Sequence, residues 1–379
     1  MWKSSKLFHC LEGCDKIVYM KERVVIAMSG GVDSSTAAAI LKDEGYDLVG
    51  ISMQIWDYSA ESVERFGTCC SLNDINDARR VAEMLGIPFY VLNLEGEFKR
   101  NVVEYFISEY MKGRTPNPCI PCNQSLKFDA LLTYAMKIGA SKVATGHYAR
   151  VVKEGERYFI VRGIDRGKDQ SYFLFNLTQE QLKRAIFPLG DYTKSEIRKI
   201  AKSLRLRVAE KEESQDICFI PDNNYGEFIR KRIDTDKIKE GEIVMTDGKV
   251  IGRHMGLPFY TIGQRKGLGV GWRRPLYVSE IDIDNNRLVV NEEEALMRRD
   301  FIVERVNWSI PELITSIRAS VQIRYRHTAS DAEIKLNGNN AVNVIFDKPQ
   351  KAITPGQAAV FYHGERLIGG GWIKKVIDE

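Results

Sequence analysis

The first two hundred residues alternate between continuous apolar runs and segments of helical periodicity. Residues 24–28 form an apolar run of the kind found in buried parallel strands, and similar runs occupy residues 48–56, 87–94 and 141–147. Between them lie segments with apolar positions at helical spacing, one of which ends at Gly86. This order of strand and helix predicts an α/β fold with a doubly wound parallel sheet.

The pattern changes after roughly residue 225, where the helical periodicity fades. Short alternating segments separated by Asp-Gly, Asn-Gly and Pro-Gly turns predict a β-rich, barrel-like C-terminal region. Met20 stands just before the first predicted strand, so we interpret residues 1–19 either as a misassigned start or as a dispensable extension. The predicted domains are a catalytic domain at 1–220, a small central domain at 221–295 and a C-terminal β-barrel domain at 296–379.

Composition excludes several classes of protein. Of the 379 residues, 44% are hydrophobic and 28% are charged, which is ordinary for a folded globular protein and unlike a disordered chain. No apolar run approaches the roughly 20 residues of a membrane span, and the N-terminus lacks a signal-peptide pattern. We therefore expect a cytoplasmic protein with no membrane partner. The net charge of +4 permits nucleic-acid binding without demanding it.

The segment AMSGGVDSS, residues 27–35, joins the first predicted strand to the first helix. Its glycines let the backbone approach a ligand, and the helix N-terminus presents unpaired N–H groups and the positive end of its dipole. Such a nest suits pyrophosphate, whereas the lysine of a Walker loop is absent. An ordinary glycine-rich turn is the alternative, but strand, Ser-Gly-Gly-x-Asp-Ser and helix in this order favour a site for ATP. The segment resembles that of the PP-loop ATP pyrophosphatases, which release pyrophosphate as they adenylate a substrate.

Ten residues are predicted to contact the nucleotide, and Asp33 is in addition a candidate ligand for Mg²⁺. They are Ala27, Met28, Ser29, Gly30, Gly31, Val32, Asp33 and Ser34 in the loop, with Met53 and Gly146 on later strands.

Seven cysteines, an odd number that includes an adjacent pair and a C-x-x-C pair, fit no secreted disulfide framework and indicate redox, metal or sulfur chemistry. GRTPNPCIPCNQ is predicted to be a rigid loop that delivers Cys119 and Cys122 just before a helix beginning near Asn123, where the helix N-terminus favours the thiolate. Cys218 lies far along the chain in ESQDICFIP. A structural zinc site is disfavoured because it needs four ligands and no second C-x-x-C or His pair follows.

At this point the motifs together resemble one family. GRTPNP-x-x-x-C-N, ATGHYAR, KDQSYFL, FPLGDYTKSEIRKIA, SQDICFIP, HMGLPFYTIGQRKGLGVG and PGQAAVFY are similar to those of the tRNA-specific 2-thiouridylases of the MnmA type, from about Arg23 to Trp372. The resemblance implies ATP-dependent thiolation of a tRNA uridine, with Cys122 as the catalytic cysteine and Cys218 as the carrier of a persulfide. It also implies that these two cysteines close a disulfide as sulfur is handed over.

One departure from the family pattern leaves an alternative open. Many members carry Asp where this chain has Cys119. Three thiolates, from Cys119, Cys122 and Cys218, could instead hold an iron–sulfur cluster that carries the sulfide. The persulfide route is preferred, because Cys122 and Cys218 are required in either case.

The resemblance also implies contacts with tRNA and a partner that donates sulfur, either a cysteine desulfurase or a relay protein. Two basic and aromatic segments, residues 264–274 and 324–326, suit RNA contact as well. The predicted tRNA-binding residues are Asn117, Pro118, Cys119, His147, Lys168, Asp169, Gln170, Arg324, Tyr325 and Gln357.

Two other functions compete with this interpretation. A PP-loop ligase acting on a small molecule would also have the segment of residues 27–35. The three cysteines argue against it, because such a ligase needs no thiols. An RNA-binding module with a vestigial nucleotide fold would not need an intact Ser-Gly-Gly-Val-Asp-Ser-Ser segment.

Overall fold

The computed structural model describes residues 21–56, 71–211, 217–220, 224–311, 315–338 and 340–377. Residues 1–19, interpreted above as an extension, lie outside them. Among the described residues, every helix is too short or too polar to cross a bilayer.

Strands dominate the second half of the chain and helices the first half. The strands are β1 (Arg23–Ala27), β2 (Asp47–Gln54), β3 (Phe89–Asn93), β4 (Lys142–Ala144), β5 (Ala149–Glu154), β6 (Arg157–Arg162), β7 (Ala185–Ile186), β8 (Gly241–Met245), β9 (Val250–His254), β10 (Tyr277–Asp282), β11 (Arg287–Asn291), β12 (Met297–Trp308), β13 (Ser316–Gln322), β14 (Ser330–Leu336), β15 (Ala341–Lys351), β16 (Ala358–His363) and β17 (Arg366–Val376). The α-helices are α1 (Val32–Asp43), α2 (Leu72–Leu85), α3 (Glu95–Phe98), α4 (Glu104–Met111), α5 (Cys119–Pro121), α6 (Leu131–Lys137), α7 (Gln179–Lys183), α8 (Lys194–Ser203) and α9 (Tyr225–Arg230).

The first domain is built on a parallel sheet with the strand order β3-β2-β1-β4-β7. Its central strand β1 is buried over four of its five residues, as expected for a strand covered on both faces. Helix α2 ends where Gly86 adopts the left-handed conformation, with φ of +61°. The predicted α/β fold with a parallel sheet is therefore confirmed.

The helix that follows Asn117 begins earlier than predicted. A helical turn, α5, already starts at Cys119, and a π-helical segment, Cys122–Ala130, continues it into α6. Pro121 is tolerated because the first turn of a helix has no partner for its N–H groups. Both cysteines therefore lie in the first turns of a helix, and not in the loop before it.

The central domain is a four-stranded sheet with the order β10-β11-β8-β9. It encloses its own apolar cluster, which includes Ile243, Val278, Leu288 and Val290. These side chains are fully buried, so the domain has a core separate from that of the parallel sheet.

The C-terminal strands form a closed antiparallel barrel. Within the described residues the order is β12-β15-β14-β13-β16-β17, and β17 pairs back with β12. Phe301 and Phe346 stack inside it with ring centroids 5.5 Å apart. The predicted barrel-like C-terminal domain is confirmed.

The hairpin β5–β6 belongs in sequence to the first domain, but it extends the barrel sheet through a pairing of Val161 with Arg366 on β17. The Tyr172 hydroxyl donates a hydrogen bond to the carbonyl of Ala358 at 3.0 Å, deep in this junction. The same hydrophobic cluster contains residues of both the parallel-sheet domain and the barrel strands β16 and β17. The two domains therefore share a core.

Phe346→Ala should lower the free energy of unfolding of the barrel by about 3–5 kcal/mol, because it leaves a cavity beside Phe301. Chemical denaturation followed by near-UV circular dichroism measures the loss. The control is Leu336→Ala in β14. Leu336 is 42% exposed, so this substitution should change the free energy of unfolding by about 0.5 kcal/mol or less. Equal effects of the two substitutions would contradict the barrel core described here.

Candidate active site

A large cleft opens at the carboxyl ends of the parallel strands, between the first domain and the barrel. Its volume is about 1250 Å³. Its walls come from the loop after β1, the segment after β4, the residues before α5 and the turn between β13 and β14. Ligands of open α/β sheets bind at this edge, so the cleft is the candidate active site.

Nine of the ten residues predicted to contact the nucleotide line this cleft, and Gly30 does not. Gly30 faces the other way, with φ of +72°, and a Cβ there would lie 2.1 Å from the carbonyl oxygen of Asp74. Its role is thus to let the loop pack against the N-terminus of α2, which no side chain would allow.

The turn from β1 into α1 is shaped to receive an anion. Gly31 caps α1 in an extended conformation and offers no side-chain bond to the first turn. The Ser34 hydroxyl accepts the backbone N–H of Ser29 at 3.1 Å, which fixes the loop. The remaining N–H groups at the helix start and the positive end of the dipole favour a phosphate at this position.

Asp33, the candidate Mg²⁺ ligand, is already engaged by protein groups. Its carboxylate accepts hydrogen bonds from the Lys194 ammonium at 2.8 and 2.9 Å and from the Tyr148 hydroxyl at 2.7 Å. A cation bound directly by Asp33 would have to displace Lys194, so the Asp33 carboxylate fits a Mg²⁺ ion poorly in this arrangement.

The segment after β4 packs against residues 27–35, called the nucleotide loop below. A Cβ on Gly146 would lie 2.9 Å from the backbone nitrogen of Ser34, so only glycine fits between these backbones. The neighbouring His147 is buried and bonded through Nδ1 to the Thr145 hydroxyl at 2.6 Å. Burial and the adjacent Lys127 ammonium, 3.5 Å from Nε2, hold the pKa of His147 well below its usual range. His147 is therefore neutral at physiological pH.

The residues before α5 are held by the barrel. The Gln357 side chain donates to the carbonyl of Thr115 at 3.0 Å, and the Thr115 N–H donates to the carbonyl of Pro355 at 2.8 Å. Gly356, with φ of +90°, lets the two chains approach, because a Cβ there would lie 2.9 Å from Thr115. Gln357 lines the cleft, and its amide nitrogen is bonded to this loop. Its predicted contact with tRNA stays a prediction.

Of the cysteines predicted to act together, Cys122 and Cys218 are not among the residues that line the cleft. Cys119, Cys122 and Cys218 are all partly exposed. Cys119 lines the cleft, as does Ile217, the residue before Cys218. Cys122 and Cys218 both pack against the hydrophobic core cluster that contains Phe219. Cys10, Cys14, Cys69 and Cys70 lie outside the described residues.

An iron–sulfur cluster would need the three cysteine sulfurs around one point. In the described part of the chain, no three His, Cys, Asp or Glu side chains gather closely enough to hold a metal ion. Cys119, Cys122 and Cys218 therefore do not form a three-thiolate site in this arrangement.

Lys168, Asp169 and Gln170 also line the cleft. The side chains of Asp169 and Gln170 are hydrogen-bonded to other parts of the protein. The buried Asp169 carboxylate accepts hydrogen bonds from Arg162 at 2.8 Å and from the Ser171 hydroxyl at 2.8 Å. Gln170 accepts the backbone N–H of Tyr148 at 3.1 Å. These contacts position the cleft wall, and the predicted contact with tRNA stays a prediction for all three.

The turn between β13 and β14 contributes an aromatic ring and a cation. Tyr325 lines the cleft with its ring 4.4 Å from that of Phe173. Arg324 instead donates to the carbonyl of Lys351 at 2.9 Å, while the neighbouring Arg326 lines the cleft. Asn117 and Pro118, from the residues before α5, also line the cleft.

Sequence reasoning missed three lysines that shape the cleft, Lys127, Lys194 and Lys211. Lys194 follows Thr193, whose side chain forms a capping box with Glu196, and this places Lys194 at the first position of α8. The capping box was readable from the sequence, but it did not indicate the contact with Asp33. The basic segment around Trp272, Arg273 and Arg274 lines a separate hollow of about 480 Å³ in the central domain.

Comparison with known proteins agrees with this architecture. Residues 22–222 match the tRNA methyl transferase HUP domain model, residues 226–292 the tRNA methyl transferase PRC-barrel domain and residues 298–373 the aminomethyltransferase beta-barrel domain.

Three bacterial relatives are all named tRNA-specific 2-thiouridylase MnmA. The chain is 51% identical to the protein of Geobacter metallireducens over 95% of its own length and 98% of the relative's. It is 52% identical to that of Geotalea uraniireducens, covering 94% of this chain and 96% of the relative. For Carboxydothermus hydrogenoformans the identity is 48%, with 94% and 98% covered. With a parallel-sheet domain carrying the nucleotide loop, a central β-domain and a closed barrel in this order, the chain belongs to the MnmA family of tRNA-specific 2-thiouridylases.

Proposed function

We propose that this protein uses ATP to activate O2 of a uridine in tRNA and replaces that oxygen with sulfur. The observation that supports the proposal is the shared cleft, which is lined by the nucleotide loop, by Cys119 and by Ile217, the neighbour of Cys218. The relatives' name, tRNA-specific 2-thiouridylase, agrees with it. By resemblance to that family, the target is the wobble uridine.

The first half of the reaction makes a leaving group. Oxygen bound to C2 departs poorly, whereas AMP departs well, so O2 attacks the α-phosphate of ATP and pyrophosphate is released. The N–H groups at the start of α1 and the hydroxyls of Ser29 and Ser34 hold the β- and γ-phosphates. Mg²⁺ bound to the phosphates themselves would neutralise part of their charge.

The uridine must leave its stack to reach this cleft, at a cost of a few kcal/mol. Asn117, Pro118 and Cys119 stand on one wall, and Tyr325 offers an aromatic face on another. The neutral His147 is available as a hydrogen-bonding partner of the base without adding a charge. Lys168 and Arg326, both lining the cleft, suit the flanking phosphates.

The second half transfers sulfur. A persulfide on Cys218, loaded by a cysteine desulfurase or a relay protein, attacks C2 through its terminal sulfur, and AMP leaves. The Cys122 thiolate then attacks the Cys218 sulfur, the S–S bond to the transferred sulfur breaks, and its electron pair stays on that sulfur as the thiocarbonyl forms. The product disulfide between Cys122 and Cys218 is reduced by a dithiol, as the reducing cytoplasm allows.

A three-cysteine cluster is the alternative that Cys119 raises. The arrangement of the described cysteines argues against it, because they do not gather around a common point. The persulfide route requires no such gathering before the nucleotide and the base bind.

Gly146→Ala should slow adenylation by about 10-fold to 100-fold, because its Cβ would displace the backbone at Ser34 by a fraction of an ångström. The measurement is pyrophosphate exchange with ATP, stimulated by tRNA. Gly226→Ala is the matched control, since a Cβ there meets its neighbours at 3.5 Å or more. Exchange unchanged in Gly146→Ala would count against the loop as the site of ATP.

Cys122→Ala and Cys218→Ala should each abolish thiolation while leaving the fold intact. Both residues are partly exposed at the edge of a core, so their loss opens no large cavity. Mass spectrometry of the nucleosides of treated tRNA measures 2-thiouridine, and circular dichroism checks the fold. Full activity of either variant would defeat the assignment of that cysteine.

Cys119→Asp should retain most of the thiolation activity, because in the persulfide route this position carries no sulfur. The matched measurement is iron and sulfide analysis of wild-type protein after anaerobic purification and reconstitution, which should find no stoichiometric iron. Stoichiometric iron in the wild type, with loss of both iron and activity in Cys119→Asp, would contradict the persulfide route. It would support the cluster instead.

A further inference from the structure

Lys127 enters the candidate active site from the helix that begins at Cys119. It lies in the π-helical segment Cys122–Ala130, and it lines the cleft. π-Helical turns are rare and are often found at functional sites. The neighbours of Lys127 in the chain, Leu126 and Phe128, are both buried in the shared core. The backbone of Lys127 is therefore held in place while its side chain lines the cleft.

The Lys127 ammonium has one hydrogen-bonding partner among the described residues, Nε2 of His147 at 3.5 Å. This distance is long for a hydrogen bond. Because a lysine has donors only, Nε2 accepts, and Nδ1 carries the ring proton and donates to the Thr145 hydroxyl. The neutral ring brings no negative charge. In the described part of the chain, two of the three N–H donors of Lys127 therefore remain for a ligand.

Other cations of the cleft are paired with carboxylates. Lys211 donates to Asp74 at 2.6 Å, and Arg162 donates to Asp169 at 2.8 Å. An anionic ligand that binds such a cation has to compete with the carboxylate, and opening a buried pair is costly. Lys127 forms no ion pair with a carboxylate of the described chain, so a phosphate oxygen meets no competitor there.

Lys127 lies between the two regions that the reactants occupy in the proposed reaction. Its partner His147 follows Gly146, where a Cβ would lie 2.9 Å from the backbone nitrogen of Ser34 at the start of α1. In the other direction, the helix of Lys127 is continuous with α5, which begins at Cys119. The β- and γ-phosphates belong at the start of α1, and the uridine belongs beside Cys119. The α-phosphate lies between them, in the part of the cleft that Lys127 lines.

We propose that Lys127 is a catalytic residue of adenylation, whose ammonium binds a non-bridging oxygen of the α-phosphate of ATP. This inference rests on the proposed function and adds a residue to its first half-reaction. O2 of the uridine forms a bond to the α-phosphorus, the bond from phosphorus to the bridging oxygen breaks, and its electron pair leaves with pyrophosphate. The N3 proton of the base passes to water. Negative charge grows on the non-bridging oxygens during the attack, and a fixed cation stabilises that charge.

The experiment compares Lys127→Met with the wild type in tRNA-stimulated pyrophosphate exchange with ATP. Removal of one group that stabilises developing charge costs about 100-fold to 1000-fold in rate, so exchange at saturating ATP and tRNA should slow by that factor. The dissociation constant of ATP should rise by about 10-fold at most, because the contact is stronger in the transition state. Lys127→Arg, which keeps the charge, should recover part of the rate.

A second measurement locates the contact on the α-phosphate. ATP with sulfur in place of one non-bridging α-oxygen exists as two diastereomers, and sulfur accepts hydrogen bonds more weakly than oxygen. In the wild type, the diastereomer with sulfur at the position that Lys127 binds should exchange more slowly than the other. In Lys127→Met this difference should shrink by about 10-fold. Lys127→Arg should keep part of the difference, which serves as the test should the Met variant fold poorly.

The matched control is Lys137→Met. Lys137 lies farther along the same helix, in the last turn of α6, and its exposed side chain is not among those that line the cleft. The same substitution at this position should leave the exchange rate, the dissociation constants and the ratio between the diastereomers unchanged. Circular dichroism checks that both Met variants are folded.

The outcomes separate this inference from the proposed function. Unchanged exchange in Lys127→Met, or a loss that leaves the ratio between the diastereomers unchanged, would overturn the role of Lys127 and leave the thiolation proposal standing. Weaker tRNA binding with a smaller salt dependence, and normal exchange at saturating tRNA, would also overturn it, because Lys127 would then contact a tRNA phosphate. A wild-type enzyme that exchanges no pyrophosphate with ATP would overturn both.

Discussion

The site depends on the hydrogen bonds between the barrel and the residues just before Cys119. Thr115 exchanges hydrogen bonds with Pro355 and Gln357 of the barrel, and Gly356 allows the close approach. These bonds hold the residues before Cys119 against the barrel. The barrel is itself joined to the parallel-sheet domain through β6 and a shared core. Two domains therefore build one cleft, and neither supplies its walls alone.

Paired charges give the cleft its second constraint. Lys194 bonds Asp33 and Lys211 bonds Asp74 and Asp77, so the lysines next to the nucleotide loop are held by carboxylates in fixed positions. Groups positioned before the ligand arrives need no reorganisation when it binds. The same pairs stiffen the loop, because each ties it to a different helix. In the proposed reaction, binding of the β- and γ-phosphates is therefore assigned to the backbone N–H groups and hydroxyls at the start of α1.

Sequence reasoning succeeded where the signal is local. Alternating apolar runs and glycine-ended helices gave the parallel sheet, and turn residues indicated the barrel. It was wrong about where the helix after Asn117 begins. Pro116, Pro118 and Pro121 together suggested a loop, although Pro121 suits a first helical turn. It did not predict that the hairpin β5–β6 joins the barrel sheet. The alternation of polar and apolar residues indicates a strand, but it does not indicate which sheet the strand extends.

The sequence by itself determined the elements, the nucleotide loop and the chemical identity of the three thiols, because period, turn chemistry and side-chain type are properties of neighbouring residues. Only the tertiary structure decided which groups meet. Lys194 bonds Asp33 across 161 residues and Gln357 bonds Thr115 across 242. Such contacts depend on how whole domains pack. The local pattern of polar and apolar residues does not indicate contacts between residues so far apart in the chain.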